Sequence, residues 1–390
     1  MKFCDITMAY NRTSGGIKTY VDEKRRFLRE DTDHEHLLII PGARDRIRRS
    51  QRTTTVTIQA PLLPGQGDYR FFLSPAKIKQ VLLEEEPDIV ELGSYYTEPW
   101  AAFSYRRRRR EADASCLIGA YFHTDVAKAC VAPLRAAAHS WLDNVSEALV
   151  SSVEKIADVA ALGAERYIRY VFTNCDVAMA ASPSQAERLK EYGVEGVDLV
   201  PMGVDLKLFD PRRRSRELRA RMGAGEATTV VLYAGRLCAE KRPLTLVEAF
   251  ERLPRHSDAQ LWIVGDGPQR ADVVAAAQRN PAIRVLAYAA ERARFAELLA
   301  SADVYVSAGP FETFGLSVIE AQASGLPVVG VDAGALRERV GEGLGFLGPV
   351  DDAHAMADNI VRAARMRPSL GARARAHIAD HFSWPRAFER

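Results

Sequence analysis

The residues best suited to chemistry fall into a few short segments. In Gly235-Arg236-Leu237-Cys238-Ala239-Glu240-Lys241 a guanidinium and an ammonium follow an apolar, strand-like run. Arginine can grip a phosphate through two parallel hydrogen bonds and lysine adds a point charge, so the pair could neutralise a departing pyrophosphate. With Glu240 beside them, a solvated ion pair at a helix start is the competing reading. Phe311-Glu312-Thr313-Phe314-Gly315-Leu316-Ser317-Val318-Ile319-Glu320 sets two glutamates eight positions apart around a predicted helix start at Phe314-Gly315-Leu316. The first N–H groups of such a helix are free to meet an anion. Glu312 falls in the preceding loop and Glu320 about two turns along, where a carboxylate can accept from hydroxyl groups. His123 closes the apolar run 116–122, the strand end from which parallel sheets contact ligands, although an isolated histidine is more often a satisfied structural one. Ser14-Gly15-Gly16-Ile17 opens a helix after the first strand. Adjacent glycines let backbone N–H groups approach an anion, and a tight turn explains them equally well.

These segments need a scaffold, and the hydrophobic pattern supplies one. Strand-like runs at 37–40, 56–58, 87–93, 116–122, 175–180 and 197–201 alternate with a helix over 75–86 and an alanine-rich helical stretch over 125–172, broken at Pro133. Such alternation predicts a parallel sheet with crossover helices. After 209–214, read as a surface segment, the pattern restarts with strands over 229–235, 260–265, 283–286, 302–307 and 326–331 and a helix over 243–253. Gly265 and Gly267 stand where the second of these strands ends. The expectation is an α/β chain of two Rossmann-like domains, 1–205 and 206–372, with a helical C-terminal stretch over 373–390.

Composition narrows the class. A chain of 390 residues exceeds what one hydrophobic core usually serves. With 53 basic against 51 acidic residues the net charge is +2, so no nucleic-acid partner is called for. The five cysteines are scattered without a CxxC pair, which argues against a zinc site or disulfide framework and suits the cytoplasm. The N-terminus lacks a signal-peptide pattern, and no run reaches the roughly 18 apolar residues of a membrane span. Residues 106–110 are all arginine and follow Trp100 and Tyr105. They would either touch anionic lipid or form a solvated helix face, since five consecutive helical residues cannot share one side. Leu134, Trp141, Leu142, Val145 and Leu149 recur at near-helical spacing and read as core or acceptor wall. Asp351-Asp352 reads as a helix cap rather than a metal motif.

Together these segments resemble glycosyltransferase family 4, from Gly15-Gly16 to Phe382-Ser383-Trp384. The likeness is most specific in Glu312…Glu320 with Gly325-Leu326-Pro327-Val328-Val329 after it. The resemblance implies the GT-B fold, two Rossmann-like domains facing across a deep cleft, with the C-terminal helix over 373–390 crossing back to the first. It implies retaining transfer of a hexose from a UDP- or GDP-linked donor, with no metal or other cofactor. By the same resemblance, Arg236 and Lys241 hold the diphosphate, Glu312 contacts the sugar, Glu320 the ribose, and Gly15 and Gly16 lie near the β-phosphate. His123 lies beside sugar and acceptor; Gly265, Gly267, Phe314, Gly315 and Leu316 line the donor. Glu91-Leu92-Gly93-Ser94, Pro99-Trp100-Ala101-Ala102, Phe122-His123-Thr124-Asp125-Val126 and Asn174-Cys175-Asp176 look like the lipid-modifying members, sulfoquinovosyl-diacylglycerol synthases and glycolipid α-mannosyltransferases. That narrower likeness implies a lipid or glycolipid acceptor and a place at the inner face of a membrane. Two departures stand out: Pro201-Met202-Gly203 where asparagine is common, and Gly334-Ala335-Leu336 where paired glycines and a proline are common. The rival readings are a soluble or polysaccharide acceptor, an epimerase or phosphorylase on the same fold, and a non-catalytic partner subunit.

Overall fold

A computed structural model describes residues 1–11, 14–63, 68–125, 147–254 and 257–389, with side chains from residue 153 onward in the helix that begins at 147. Pro133 and the apolar series from Leu134 to Leu149 lie outside the described side chains. The chain divides into two compact units, Met1–Val200 and Pro201–Arg390.

The first unit is built on an eight-stranded sheet. Its strands are β1 (Lys2–Ile6), β2 (Glu35–Gly42), β3 (Arg46–Ser50), β4 (Thr53–Gln59), β5 (Ile89–Leu92), β6 (Leu117–Phe122), β7 (Val177–Ala180) and β8 (Val197–Leu199). They lie in the order β3-β4-β2-β1-β5-β6-β7-β8, all parallel except the β3–β4 pair. Leu37, Leu38 and Ile39 are wholly buried on both faces of β2, as a strand covered by helices on each side requires. The helices are α1 (Gly16–Glu30), α2 (Pro75–Glu85), α3 (Glu98–Glu111), α4 (Glu147–Thr173) and α5 (Pro183–Glu191). α2 and α5 each begin with Pro after a capping serine, whose hydroxyl accepts from Lys77 N and Gln185 N respectively. Order reverses between β1 and β5, so the loops after those two strands flank the place where such sheets open toward a ligand.

The second unit contains a six-stranded sheet of β9 (Thr229–Ala234), β10 (Ala259–Val264), β11 (Ile283–Leu286), β12 (Val304–Ser307), β13 (Val328–Val331) and β14 (Gly345–Gly348). Its order, β11-β10-β9-β12-β13-β14, is the Rossmann order with all strands parallel. The helices are α6 (Arg216–Arg221), α7 (Pro243–Glu251), α8 (Arg270–Arg279), α9 (Arg292–Ser301), α10 (Leu316–Ala323), α11 (Leu336–Arg339), α12 (Ala353–Arg365), α13 (Arg367–His381) and α14 (Trp384–Phe388). Asp352 does cap α12, accepting from Ala355 N at 2.9 Å. The 209–214 segment is a surface strip only in part: Pro211, Arg212 and Arg213 are exposed, whereas Phe209 is fully buried against Phe295, ring centroids 6.1 Å apart, and Asp210 is buried beside it. In the Pro201-Met202-Gly203 loop a Cβ on Gly203 would lie 2.4 Å from the backbone N of Trp384, so the chain needs glycine there; nothing in the structure explains the missing asparagine. Val204 N then donates to Phe382 O at 2.8 Å, tying this segment to the chain's end.

Candidate active site

In the second unit the reversal of strand order falls between β9 and β12, and the loops after those strands carry the charged motifs. After β9 the chain passes Arg236 and makes a 3₁₀ turn, Ala239–Lys241, before α7. After β12 it passes Glu312 and enters α10 behind Gly315. Lys241 Nζ meets Glu312 Oε2 at 2.8 Å, and Glu312 Oε1 accepts from Gly315 N at 3.2 Å. Burial disfavours both charges, but their attraction outweighs it, so Lys241 is held above its ordinary pKa and Glu312 below. Arg236 pairs with Glu240 at 3.3 Å with both side chains about half exposed. The expected phosphate-binding cations are therefore present and each is matched with a carboxylate. A phosphate arriving at Lys241 would share that ammonium with Glu312.

Phe314, Gly315 and Leu316 form the entrance to α10 as expected, with Phe314 buried and Gly315 as the capping residue. Glu320 is the fifth residue of the helix, little more than one turn in rather than two, because the helix starts at Leu316. It is buried and ion-paired with Arg292, the first residue of α9. The Gly334-Ala335 departure supports this loop, since Ala335 N donates to Glu312 O at 2.9 Å. Gly265 and Gly267 serve loop packing. A Cβ would lie 2.0 Å from Gly235 O at the first and 2.5 Å from Leu237 O at the second. Leu237 N donates to Asp266 O at 2.9 Å and Gln269 N to Leu237 O at 2.8 Å, which locks the β10 loop onto the arginine–lysine loop.

In the first unit His123 directly follows β6 and is buried. Its ring stacks on Tyr121, centroids 4.1 Å apart and nearly parallel, and takes the edge of Tyr20 at 5.4 Å. The backbone N donates to Tyr95 Oη at 2.9 Å. Among the described residues, neither ring nitrogen has a hydrogen-bond partner. Burial, reinforced by the Lys24 charge, pushes the imidazole down to about 3, so it is neutral at physiological pH. Gly15 caps α1, whose first turn has no side-chain cap, and a Cβ there would meet nothing within 4 Å. Gly15 is open because nothing packs on it, and Gly16 begins the helix beside it.

Beneath this site lies a buried charge cluster that the sequence reading missed. Lys24 Nζ contacts Asp5 Oδ1 at 2.6 Å and Glu91 Oε2 at 2.7 Å, and His36 Nε2 lies 2.5 Å from Asp5 Oδ2. Tyr20 Oη donates to Glu91 Oε2 at 3.2 Å and so joins the cluster to the ring that edges His123. The signal was there: Lys24 shares the buried stripe of α1 with Tyr20, Val21 and Leu28, where a charge has to be matched. The arginine run disperses around α3. Arg106 pairs with Asp176, Arg108 with Glu111 and Arg109 with Glu86, while Arg107 and Arg110 are exposed. Among the described residues, no three His, Cys, Asp or Glu side chains converge as a metal site, and no helix is long and apolar enough to cross a membrane.

With this geometry in hand, the comparisons with known proteins are decisive. Residues 14–208 match the model for Glycosyltransferase Family 4 and residues 228–365 that for Glycosyl transferases group 1. The chain belongs to glycosyltransferase family 4. A GDP-mannose-dependent α-(1-6)-phosphatidylinositol dimannoside mannosyltransferase of Mycobacterium tuberculosis is 32% identical over 99% of this chain and 94% of that protein. The sulfoquinovosyl transferase SQD2 of Arabidopsis thaliana is 30% identical over 56% of this chain and 44% of its own length. Among solved structures, sucrose-phosphate synthase from Thermosynechococcus elongatus superposes with a TM-score of 0.76 at 20% identity, covering 99% of this chain and 96% of that one. The family 4 enzyme described here is thus a glycosyltransferase with two Rossmann-like units of the GT-B kind.

Proposed function

We propose that the enzyme transfers mannose from GDP-mannose to a hydroxyl of a lipid or glycolipid, with retention at the anomeric carbon and without a metal. The observation that carries this reading is the Lys241–Glu312 pair at the strand-order reversal of the second unit. A cation fixed there by a partly buried carboxylate is preorganised for the charge that develops on a departing diphosphate, and Arg236 adds a second positive group on the same loop. GDP-mannose and the lipid acceptor are chosen from the mycobacterial relative, which covers nearly the whole chain. In the reaction the acceptor oxygen forms its bond to the anomeric carbon on the face from which the diphosphate leaves. The carbon–oxygen bond to phosphate breaks, and the departing phosphate oxygen takes the acceptor's proton. His123, neutral and with both ring nitrogens open, hydrogen-bonds the sugar and does not act as a nucleophile. Glu312 positions the sugar and Glu320 accepts from the ribose. A lipid acceptor brings the enzyme to a membrane surface as a peripheral protein, with Trp100, Arg107 and Arg110 exposed on α3 as contacts.

The test incubates UDP-, GDP- and ADP-sugars with the enzyme and total membrane lipid in the presence of EDTA. Label moving to the organic phase from GDP-mannose alone, with an α-anomeric product by NMR, is the expected result. Release of GDP without organic-phase label would transfer the acceptor to the soluble class. Dependence on an added divalent cation would overturn the metal-free mechanism.

A further inference from the structure

Glu320 comes with a partner that the reaction scheme above leaves idle. Its side chain is 3% exposed, while that of Arg292, which holds Oε1, is 40% exposed. Arg292 opens α9, where no acidic residue stands in the first turn. A cation at a helix N-terminus faces the positive end of the helix dipole and is disfavoured there, so helix formation does not explain its position. Aromatic rings hold it instead: the guanidinium lies 4.9 Å from the centroid of Phe209 and 5.8 Å from that of Phe295. Phe209 and Phe295 are themselves buried and packed together, which restricts where the guanidinium can sit and so where it can hold Oε1 of the carboxylate.

We propose that Arg292 is a positioning residue for the donor's ribose, holding one oxygen of Glu320 so that the other is presented, as a carboxylate, to a ribose hydroxyl. The inference rests on the reading of Glu320 as the ribose acceptor. The chemistry turns on which protonation state the buried group adopts. Burial pushes the Glu320 carboxyl up, and the Arg292 charge opposes that rise. A protonated carboxyl could donate as well as accept, but its neutral hydrogen bond to the hydroxyl is roughly half as strong as one to a carboxylate, so it would discriminate less against a ribose lacking that hydroxyl. An ionised one is acceptor-only, so its preference for a donor hydroxyl is sharp. The residual exposure of Arg292 leaves the pair open on one side, as a pair that must admit a ligand requires.

The experiment measures binding of GDP, UDP and their 2′-deoxy and 3′-deoxy counterparts by titration calorimetry. The proteins are wild type, Glu320→Ala, Arg292→Ala and Arg292→Lys. In the wild type, loss of the contacted hydroxyl is expected to weaken binding about 10- to 100-fold, the range for a hydrogen bond to a charged group. Glu320→Ala and Arg292→Ala should each flatten that discrimination to near unity, and Arg292→Lys should restore part of it. A purely structural role for Arg292 would weaken all the nucleotides alike and leave their ratio intact, which overturns the inference. If Glu320→Ala itself keeps the ratio, the ribose reading of Glu320 falls. If Glu320→Ala loses it and Arg292→Ala does not, Glu320 stands and only the part given to Arg292 falls. A wild type that binds neither GDP nor UDP overturns both.

Discussion

His123 and Glu312 both sit just beyond a parallel strand, yet the protein holds them in opposite ways. The imidazole is gripped by the rings of Tyr121 and Tyr20, and its nitrogens are left without partners. The carboxylate is saturated, with Lys241 on one oxygen and Gly315 N on the other. A neutral ring can be left polar and unpaired at modest cost, whereas a buried charge cannot. The first unit therefore holds a neutral polar group without a partner among the described residues, and the second holds its charges matched. The cluster of Lys24, Asp5 and Glu91 obeys the rule only in part: Lys24 is held by both carboxylates, while Glu91 Oε1 and His36 Nδ1 are buried without a hydrogen-bond partner among the described residues.

Substitutions that unmatch or release these groups sharpen the contrast. The largest effect is expected from Lys24→Met, which strands Asp5 and Glu91 in the core of the first unit. Breaking a buried pair from one side costs about 3–5 kcal/mol, to be read as a fall in the denaturant midpoint. Lys241→Ala should lower kcat by about 10²–10³, the order seen when one preorganised partner of developing charge is removed. Steady-state transfer from GDP-mannose measures it, and full turnover would remove Lys241 from the mechanism. His123→Phe should act in two directions at once: transfer is lost, and stability rises by about 1–2 kcal/mol because an unsatisfied buried polar group disappears. Its pH dependence follows from the imidazole's depression from 6.5 to about 3. Between those values the unfolded chain binds a proton that the folded one refuses, so the wild type loses stability as pH falls through that window. The advantage of His123→Phe in thermal midpoint should therefore widen on acidification from pH 7 to pH 4; a constant gap would mean His123 takes up its proton as readily in the fold as in the unfolded chain. The smallest effect belongs to Glu240→Gln. Its half-exposed pair with Arg236 should contribute no more than about 0.5 kcal/mol.

The legible parts of the fold were those written as local periodicity. Leu37–Ile40 and Val328–Val331 read as strands because buried parallel strands are continuous apolar runs. Short polar elements escaped. β3 is exposed along its whole length and carries Arg46, Arg48 and Arg49, so it has no hydrophobic signature; only pairing with β4 makes it a strand. Phe209 was misread because three arginines follow Pro211 closely, and composition there outweighs a single buried ring. At the candidate site, Arg236, Lys241, Glu312 and Glu320 were singled out from residue type and motif spacing, whereas Arg292 and Lys24 were not. Their partners lie 28 residues away for Arg292 and 19 and 67 for Lys24, and no local pattern joins positions so far apart.

The sequence by itself determined the two nucleotide-fold sheets, the loops that end their strands, and the residue types offered there, since all of these follow from spacing within a few turns or one strand. Tertiary structure decided which charges are matched. Only the sheet order brings the loops after β9 and β12 side by side, so that Lys241 meets Glu312 across 71 residues of chain. Only the packing of Tyr20 and Tyr121 removes water from His123 without giving it a partner. Burial and proximity set the protonation and availability of these groups, and both are properties of the folded chain.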